Sequence, residues 1–171
     1  MHAAAYRFVA AMVLDHELNR PGLAVCELGS YDVNGSVREL FDRCASYTGV
    51  DTRPGPGVDV VADAGLFNAD ELYDVVVTTE VLEHCPHWQL ILSNAYELLK
   101  PSGVLIVTAA GPERAPHGCD GGHVGGEHYG GIAPHALLDA LRCFVEGGGA
   151  AVVQENESVG DVYALALKGD D

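Results

Sequence analysis

Lysine is almost missing from these 171 residues: only Lys100 and Lys168 occur, and Lys and Arg together number 9 against 25 Asp and Glu, a net charge of −16. Binding to a polyanion releases counterions only where a basic face neutralises phosphates, so this balance disfavours nucleic acid as a partner. A lysine-rich amphipathic surface for anionic membranes is also missing. No apolar run is long enough to span a bilayer. The first twenty residues carry Arg7, Asp15, His16 and Glu17, which is not the basic-then-apolar layout of a secretion signal. No CxxC pair occurs, and the cysteines, Cys26, Cys44, Cys85, Cys119 and Cys143, are odd in number. That excludes a disulfide framework or a zinc knuckle and points to reduced thiols in a cytoplasm.

What is present is a chain with 48% hydrophobic residues and a mean hydropathy of +0.11, enough to build a core. The length suits one domain, residues 1–171. Apolar residues at helical spacing predict a helix over 4–18, stopped by Asn19-Arg20-Pro21-Gly22. Short β-branched or apolar runs predict strands at 23–28, 47–51, 58–61, 73–78, 104–108, 151–154 and 162–167. Helices are expected at 36–44, 88–99 and 134–144, the last with proline at its start. Strands alternating with helices imply an α/β doubly wound, mostly parallel seven-stranded sheet with helices on both faces. The closing pair of strands is expected to form a C-terminal antiparallel hairpin. Residues 111–131, rich in glycine and histidine, form a long loop of the kind that covers a ligand.

In an open parallel sheet, ligands bind beyond the carboxyl ends of the strands, where strand order reverses. The chemically informative residues stand there. Glu27-Leu28-Gly29-Ser30-Tyr31 follows the first strand and leads through Asn34-Gly35 towards a helix start, which suits a carboxylate or phosphate. It is not a GxGxxG loop, which argues against a nicotinamide-dependent oxidoreductase. Asp51 closes the second strand at the distance from Gly29 where an acid meets ribose hydroxyls, with Thr52 beside it. Asp63 and Ala64 follow the third strand, and Thr79-Glu80-Val81-Leu82-Glu83-His84 the fourth.

These motifs, with Leu98-Leu99-Lys100-Pro101-Ser102-Gly103 further on, resemble a class I S-adenosylmethionine-dependent methyltransferase of the small type-11/type-12 kind, over residues 25–141. The resemblance implies a Rossmann-like methyltransferase fold and S-adenosyl-L-methionine as cofactor. It implies that Glu27, Gly29, Ser30 and Tyr31 shape the pocket for the methionine end, and that Asp51 and Thr52 meet the ribose. Asp63 and Ala64 are then placed at the adenine, and Thr79 or Glu80 at the cofactor's amino group. The loop after Gly29 lacks the family's usual glycine pairs. The implied reaction is an in-line displacement that rests largely on alignment, with a base to remove a proton. Histidine suits that task. Of His84, His117, His123 and His128, the loop histidines His123 and His128 are expected to face the substrate as catalytic residues.

The expected acceptor is a small molecule or sugar bearing a hydroxyl or carboxyl, a choice made by analogy of fold. A homodimer or a larger partner subunit would help to complete the pocket. Two other readings stay open. One is a cofactor-binding subunit without turnover. The other is a metal-assisted 2′-O-type methyltransferase, because Glu80-x-x-Glu83-His84 resembles the metal motif of small-RNA 2′-O-methyltransferases, with His123 or His128 as a further ligand. No metal is assigned on sequence alone. Cys119 is the one thiol expected to merit a reactivity test, and Trp88 is expected to pack in the core.

Overall fold

The computed structural model describes residues 1–170. Its elements are α1 (Ala3–Asp15), β1 (Ala24–Leu28), a 3₁₀ turn (Arg38–Phe41), β2 (Ser46–Asp51), β3 (Val60–Val61), β4 (Tyr73–Thr79) and a second 3₁₀ turn (Leu82–His84). There follow α2 (Trp88–Leu98), β5 (Leu99–Ala110), α3 (Pro134–Ala140), α4 (Arg142–Glu146), β6 (Ala150–Asn156) and β7 (Asp161–Leu167). The strands form one sheet in the order β3-β2-β1-β4-β5-β7-β6. β7 runs antiparallel to both β5 and β6, as expected of a closing hairpin, and the remaining pairings are parallel. The seven-stranded α/β fold is therefore the expected one.

Alternation along the strands divides the core into two layers. Cys26, Leu28, Val76, Leu105 and Val107 face α2, α3 and α4, where Leu92, Leu137 and Phe144 close the layer. Val25, Val75, Val77 and Ile106 face the opposite side, covered by Val9 and Val13 of α1 and Phe41 of the first 3₁₀ turn. Each such fully buried side chain contributes roughly 1.5–3 kcal/mol. Trp88, partly buried at the start of α2, packs against the first layer as expected. Among the described residues, no helix is long and apolar enough to cross a membrane.

Several elements differ from expectation for local reasons. The helix expected over 36–44 is only a 3₁₀ turn. Ser36 Oγ accepts the Arg38 N–H at 3.0 Å, and Asn19 Oδ1 accepts the Arg43 N–H at 2.8 Å. The Asn19 bond takes an N–H that a helix over 36–44 would use, whereas the Ser36 bond satisfies a first-turn N–H that has no helical partner. The helix expected over 134–144 breaks at Leu141, whose N–H bonds to both Leu137 and Leu138 carbonyls, and α4 restarts after it. β5 begins earlier than expected because Lys100–Gly103 bulges out of the ladder, between Tyr73↔Leu99 and Val75↔Val104. β3 shrinks to Val60–Val61.

β1 lies between β2 and β4, so the chain order reverses beside it. Glu27 is level with Gly49 on one side and Val77 on the other. This register gathers the ends of β1, β2 and β4 at one edge, above which a crevice opens.

Candidate active site

The crevice has a volume of about 660 Å³. Glu27, Gly29, Ser30 and Tyr31 line it from β1, and Asp51 and Thr52 from β2. Asp63 and Ala64 line it after β3, and Thr79 and Glu80 at the end of β4. Every residue expected at a cofactor thus borders one cleft, although these residues come from four separate stretches of chain.

Backbone geometry explains two of the glycines. Gly29 has φ +87°, a conformation that suits glycine, and a side chain there would run into Val81. Gly29 and Ser30 both donate backbone N–H bonds to the Val50 carbonyl, at 2.8 and 3.0 Å. Gly49 is needed for a different reason, because a side chain there would strike the Gly57 carbonyl oxygen. That close approach lets Asp59 accept the Gly49 N–H at 2.7 Å and fixes the end of β2. Asp51 is held in turn: its Oδ2 accepts the Tyr31 N–H at 3.2 Å and its Oδ1 the Arg53 N–H at 2.9 Å. Asn94 of α2 donates to the Ala64 and Phe67 carbonyls at 2.9 and 2.8 Å, which positions the Asp63–Ala64 turn.

Burial shapes the charges. Glu27 is 3% exposed. Burial pushes its carboxyl up to about 7, against the lowering effect of the Tyr47 O–H, which donates to it at 2.8 Å. Burial also pushes Glu83 up to about 8, helped by the charge of Glu80. Burial acts to raise Glu80 too, but the hydrogen bond from His2 and another from Thr108 hold it below its ordinary value. Glu80 leaves β4 with φ +57°, a left-handed conformation that a non-glycine residue adopts at a cost of roughly 1–3 kcal/mol. The buried Ser30 hydroxyl has no hydrogen-bond partner among the described residues.

Glu80 and Glu83, three residues apart, turn to different neighbours. Glu80 joins His2 and Asp161. Glu83, His84 and His117 bring ligand atoms within 4.8 Å of one another, while Glu83 Oε2 and His84 Nδ1 are buried without partners among the described residues. The rings of His84, His117 and Tyr129 pack edge to face, with centroids 5.1–5.6 Å apart. Burial, then the charge of His117, holds the His84 imidazole below its ordinary value.

The loop over 111–131 walls the cleft through residues 114–119. Its tip meets the far wall where Arg53 pairs with Asp120 at 2.8 Å and lies 4.4 Å over the Tyr31 ring. The structure places His123 and His128 on the exposed part of the loop, and neither lines the cleft. A turn closed by Gly118 N–H to the Gly122 carbonyl (2.9 Å) and another by Glu127 N–H to Val124 (3.1 Å) carry them outward. The histidines that do line the cleft are His2, His84 and His117. Nor is Cys119 a reactive thiolate, since burial and the neighbouring Glu127 push its thiol up to about 11. Sequence reading missed His2, Arg114 and Asp161. Their partners lie far away along the chain, so no local pattern marks them.

A family model described as a methyltransferase domain matches residues 2–117. Over 94 residues the chain is 34% identical to the ubiquinone biosynthesis O-methyltransferase of Paramagnetospirillum magneticum, a match covering 55% of this chain and 34% of that protein. Over 64 residues it is 34% identical to the mitochondrial ubiquinone biosynthesis O-methyltransferase of Mus musculus, covering 37% of this chain and 17% of the relative. The matched stretches thus span about a third or less of these curated relatives. Among solved structures, SAM-bound CalS10, an amino pentose methyltransferase from Micromonospora echinaspora, superposes with a TM-score of 0.68 at 17% identity. That match covers 95% of this chain and 91% of CalS10.

Proposed function

The chain belongs to the methyltransferase-domain family, and from that premise we propose that it transfers the methyl group of S-adenosylmethionine to a hydroxyl or carboxyl of a small-molecule or sugar acceptor. The observation that carries this reading is the convergence of Glu27, Gly29, Asp51, Asp63, Thr79 and Glu80 on one cleft at the carboxyl ends of β1 to β4. The names of the curated relatives, both O-methyltransferases, support an oxygen acceptor. The amino pentose substrate in the name of CalS10 supports a sugar-sized one.

In this reading Asp51 accepts hydrogen bonds from the ribose diol and Asp63 from the adenine amine. Gly29 lets the backbone approach the methionine end, with Ser30 beside it. Glu80 faces the amino group. The cofactor supplies an activated methyl. The protein aligns acceptor and donor, which accounts for much of the rate in such displacements. His84 and His117 stand at the cleft wall to take the acceptor's proton. Burial favours the neutral imidazole at His84, the form a base needs.

A second reading is favoured by the two unpartnered buried atoms of Glu83 and His84. Together with His117 they offer oxygen and imidazole ligands suited to a divalent metal. Such an ion would supply Lewis-acid chemistry to an acceptor hydroxyl. The ligand set differs from the expected one, with His117 in place of His123 or His128 and without Glu80.

Calorimetric titration with S-adenosylhomocysteine tests the first reading. Wild-type protein should bind, and Asp51→Ala should weaken binding about ten-fold or more, the scale of lost hydrogen bonds to a charged group. No binding by wild type would overturn it. Zinc or magnesium titration of wild type against a His117→Ala variant tests the second reading. Equal metal affinity in the two would dismiss it.

A further inference from the structure

His2 precedes α1 and caps it: the backbone is extended there, at φ −106° and ψ 167°, and the ring Nδ1 accepts the Ala4 N–H at 3.3 Å. That bond leaves the ring proton on Nε2. Nε2 lies 2.7 Å from Asp161 Oδ2 and 3.4 Å from Glu80 Oε2. Arg114 Nη1 is also close, at 2.8 Å, but a guanidinium accepts no hydrogen bond. The Nε2 proton therefore goes to the two carboxylates. Arg114 meanwhile pairs with the other Asp161 oxygen.

The surrounding contacts hold this arrangement firmly. Asp161 opens β7 and its side chain is buried; its Oδ2 also accepts the Tyr163 O–H at 2.7 Å. Phe8, in the second turn of α1, stacks on Tyr163 with centroids 4.7 Å apart, which locks the helix against β7. The Glu80 carboxylate is held on its other oxygen by Thr108 Oγ1 at 3.1 Å. The ends of α1, β4, β5 and β7 thus meet at one side chain that borders the cleft.

We propose that His2 is a positioning residue for the cofactor: its Nε2–H, backed by Asp161, aims the Glu80 carboxylate at the amino group of the cofactor's methionine end. This inference rests on the cofactor assignment above. A carboxylate fixed in advance on both oxygens loses little freedom on binding an ammonium group, and preorganisation of this kind raises affinity. His2 acts through Glu80 and need not touch the reacting atoms. The chain at residue 2 and the strand end at residue 80 are joined here without any sequence motif linking them.

The test separates this role from simple helix capping. Asparagine at position 2 keeps an acceptor for the Ala4 N–H, and asparagine is among the best N-caps. Its amide stops short of the carboxylates. Glutamine places an N–H donor near the position of Nε2 and is a poorer cap. Calorimetry of wild type, His2→Ala, His2→Asn and His2→Gln is run with two probes. One is S-adenosylhomocysteine. The other is 5′-methylthioadenosine, which has the adenosine and sulfur but no amino-acid end. His2→Ala and His2→Asn should bind S-adenosylhomocysteine about five- to ten-fold more weakly, the net scale of one ordinary hydrogen bond. Their binding of 5′-methylthioadenosine should stay at the wild-type level. His2→Gln should recover most of the loss. Thermal unfolding checks that His2→Asn keeps its helix. If both probes weaken equally, or His2→Asn restores binding and His2→Gln does not, His2 is only a cap and the inference falls. If wild type binds S-adenosylhomocysteine and every variant matches it, the inference alone falls. If wild type binds neither probe, the cofactor assignment falls and this inference with it.

Discussion

Replacing Glu27 by glutamine should remove a loss of stability that the protein suffers as pH rises. The carboxyl is buried, with the residue 3% exposed, and Tyr47 donates to it at 2.8 Å. Burial lifts its pKa from 4.5 to about 7. In the unfolded chain it ionises at its ordinary value. Between those values the folded protein holds more protons than the unfolded chain, so stability falls as pH increases. The stabilising share is complete below about 4.5 and gone above about 7. At about 1.4 kcal/mol per pKa unit, the whole effect is about 3 kcal/mol. Glutamine has the same shape, accepts the Tyr47 O–H through its amide oxygen, and does not titrate. Glu83, raised to about 8, causes a parallel decline, but it does so in both proteins and cancels from the difference. Urea unfolding of both proteins between roughly pH 5 and pH 8 measures that difference. Variant minus wild type should climb by about 2–3 kcal/mol across the range. A difference flat to within about 0.5 kcal/mol would show that Glu27 folds ionised, and would refute the burial argument.

Three further outcomes are expected. Gly29→Ala should destabilise the fold by roughly 1–3 kcal/mol in urea unfolding, because φ is +87° and Val81 blocks a side chain; wild-type stability would contradict the geometry. Arg53→Ala and Asp120→Ala should each speed S-adenosylhomocysteine release by up to about five-fold in stopped-flow displacement, since the exposed pair ties the 111–131 loop across the cleft. The effect should shrink at high salt, and unchanged release would mean that the loop does not gate the site. The double variant His123→Ala/His128→Ala should keep turnover within about two-fold of wild type on any acceptor that is methylated, an effect under about 0.5 kcal/mol. A large loss would restore those histidines to the site despite their exposure.

The chain pattern alone carried the sheet and most of the candidate cleft. β-branched runs buried on both faces, such as residues 73–78, specify strands because their side chains must pack on two layers. Parallel strands share an orientation, so the acids that end them, Asp51 and Asp63 among them, have to gather at one edge wherever the helices lie. The sequence was a poorer guide where side chains override local propensity. Asn19 took a donor from an expected helix, which became a 3₁₀ turn, and the second bond at Leu141 marks where another helix splits.

Roles that depend on two distant segments belonged to the tertiary structure. Glu80 and Glu83 look like one motif, but the left-handed backbone at Glu80 sends its carboxylate to His2 and Asp161, while Glu83 stays with His84 and His117. The glycine-rich loop sets His117 in the cleft, and two turns after it carry His123 and His128 outward. The raised carboxyls of Glu27 and Glu83 arise from burial, a property of the packed core rather than of the neighbours in sequence. Residue type and period thus determined where a ligand can bind, through forces that act along a strand or turn. Which side chains act there was decided by contacts across the fold, because hydrogen bonds and desolvation depend on what lies within a few ångströms in space.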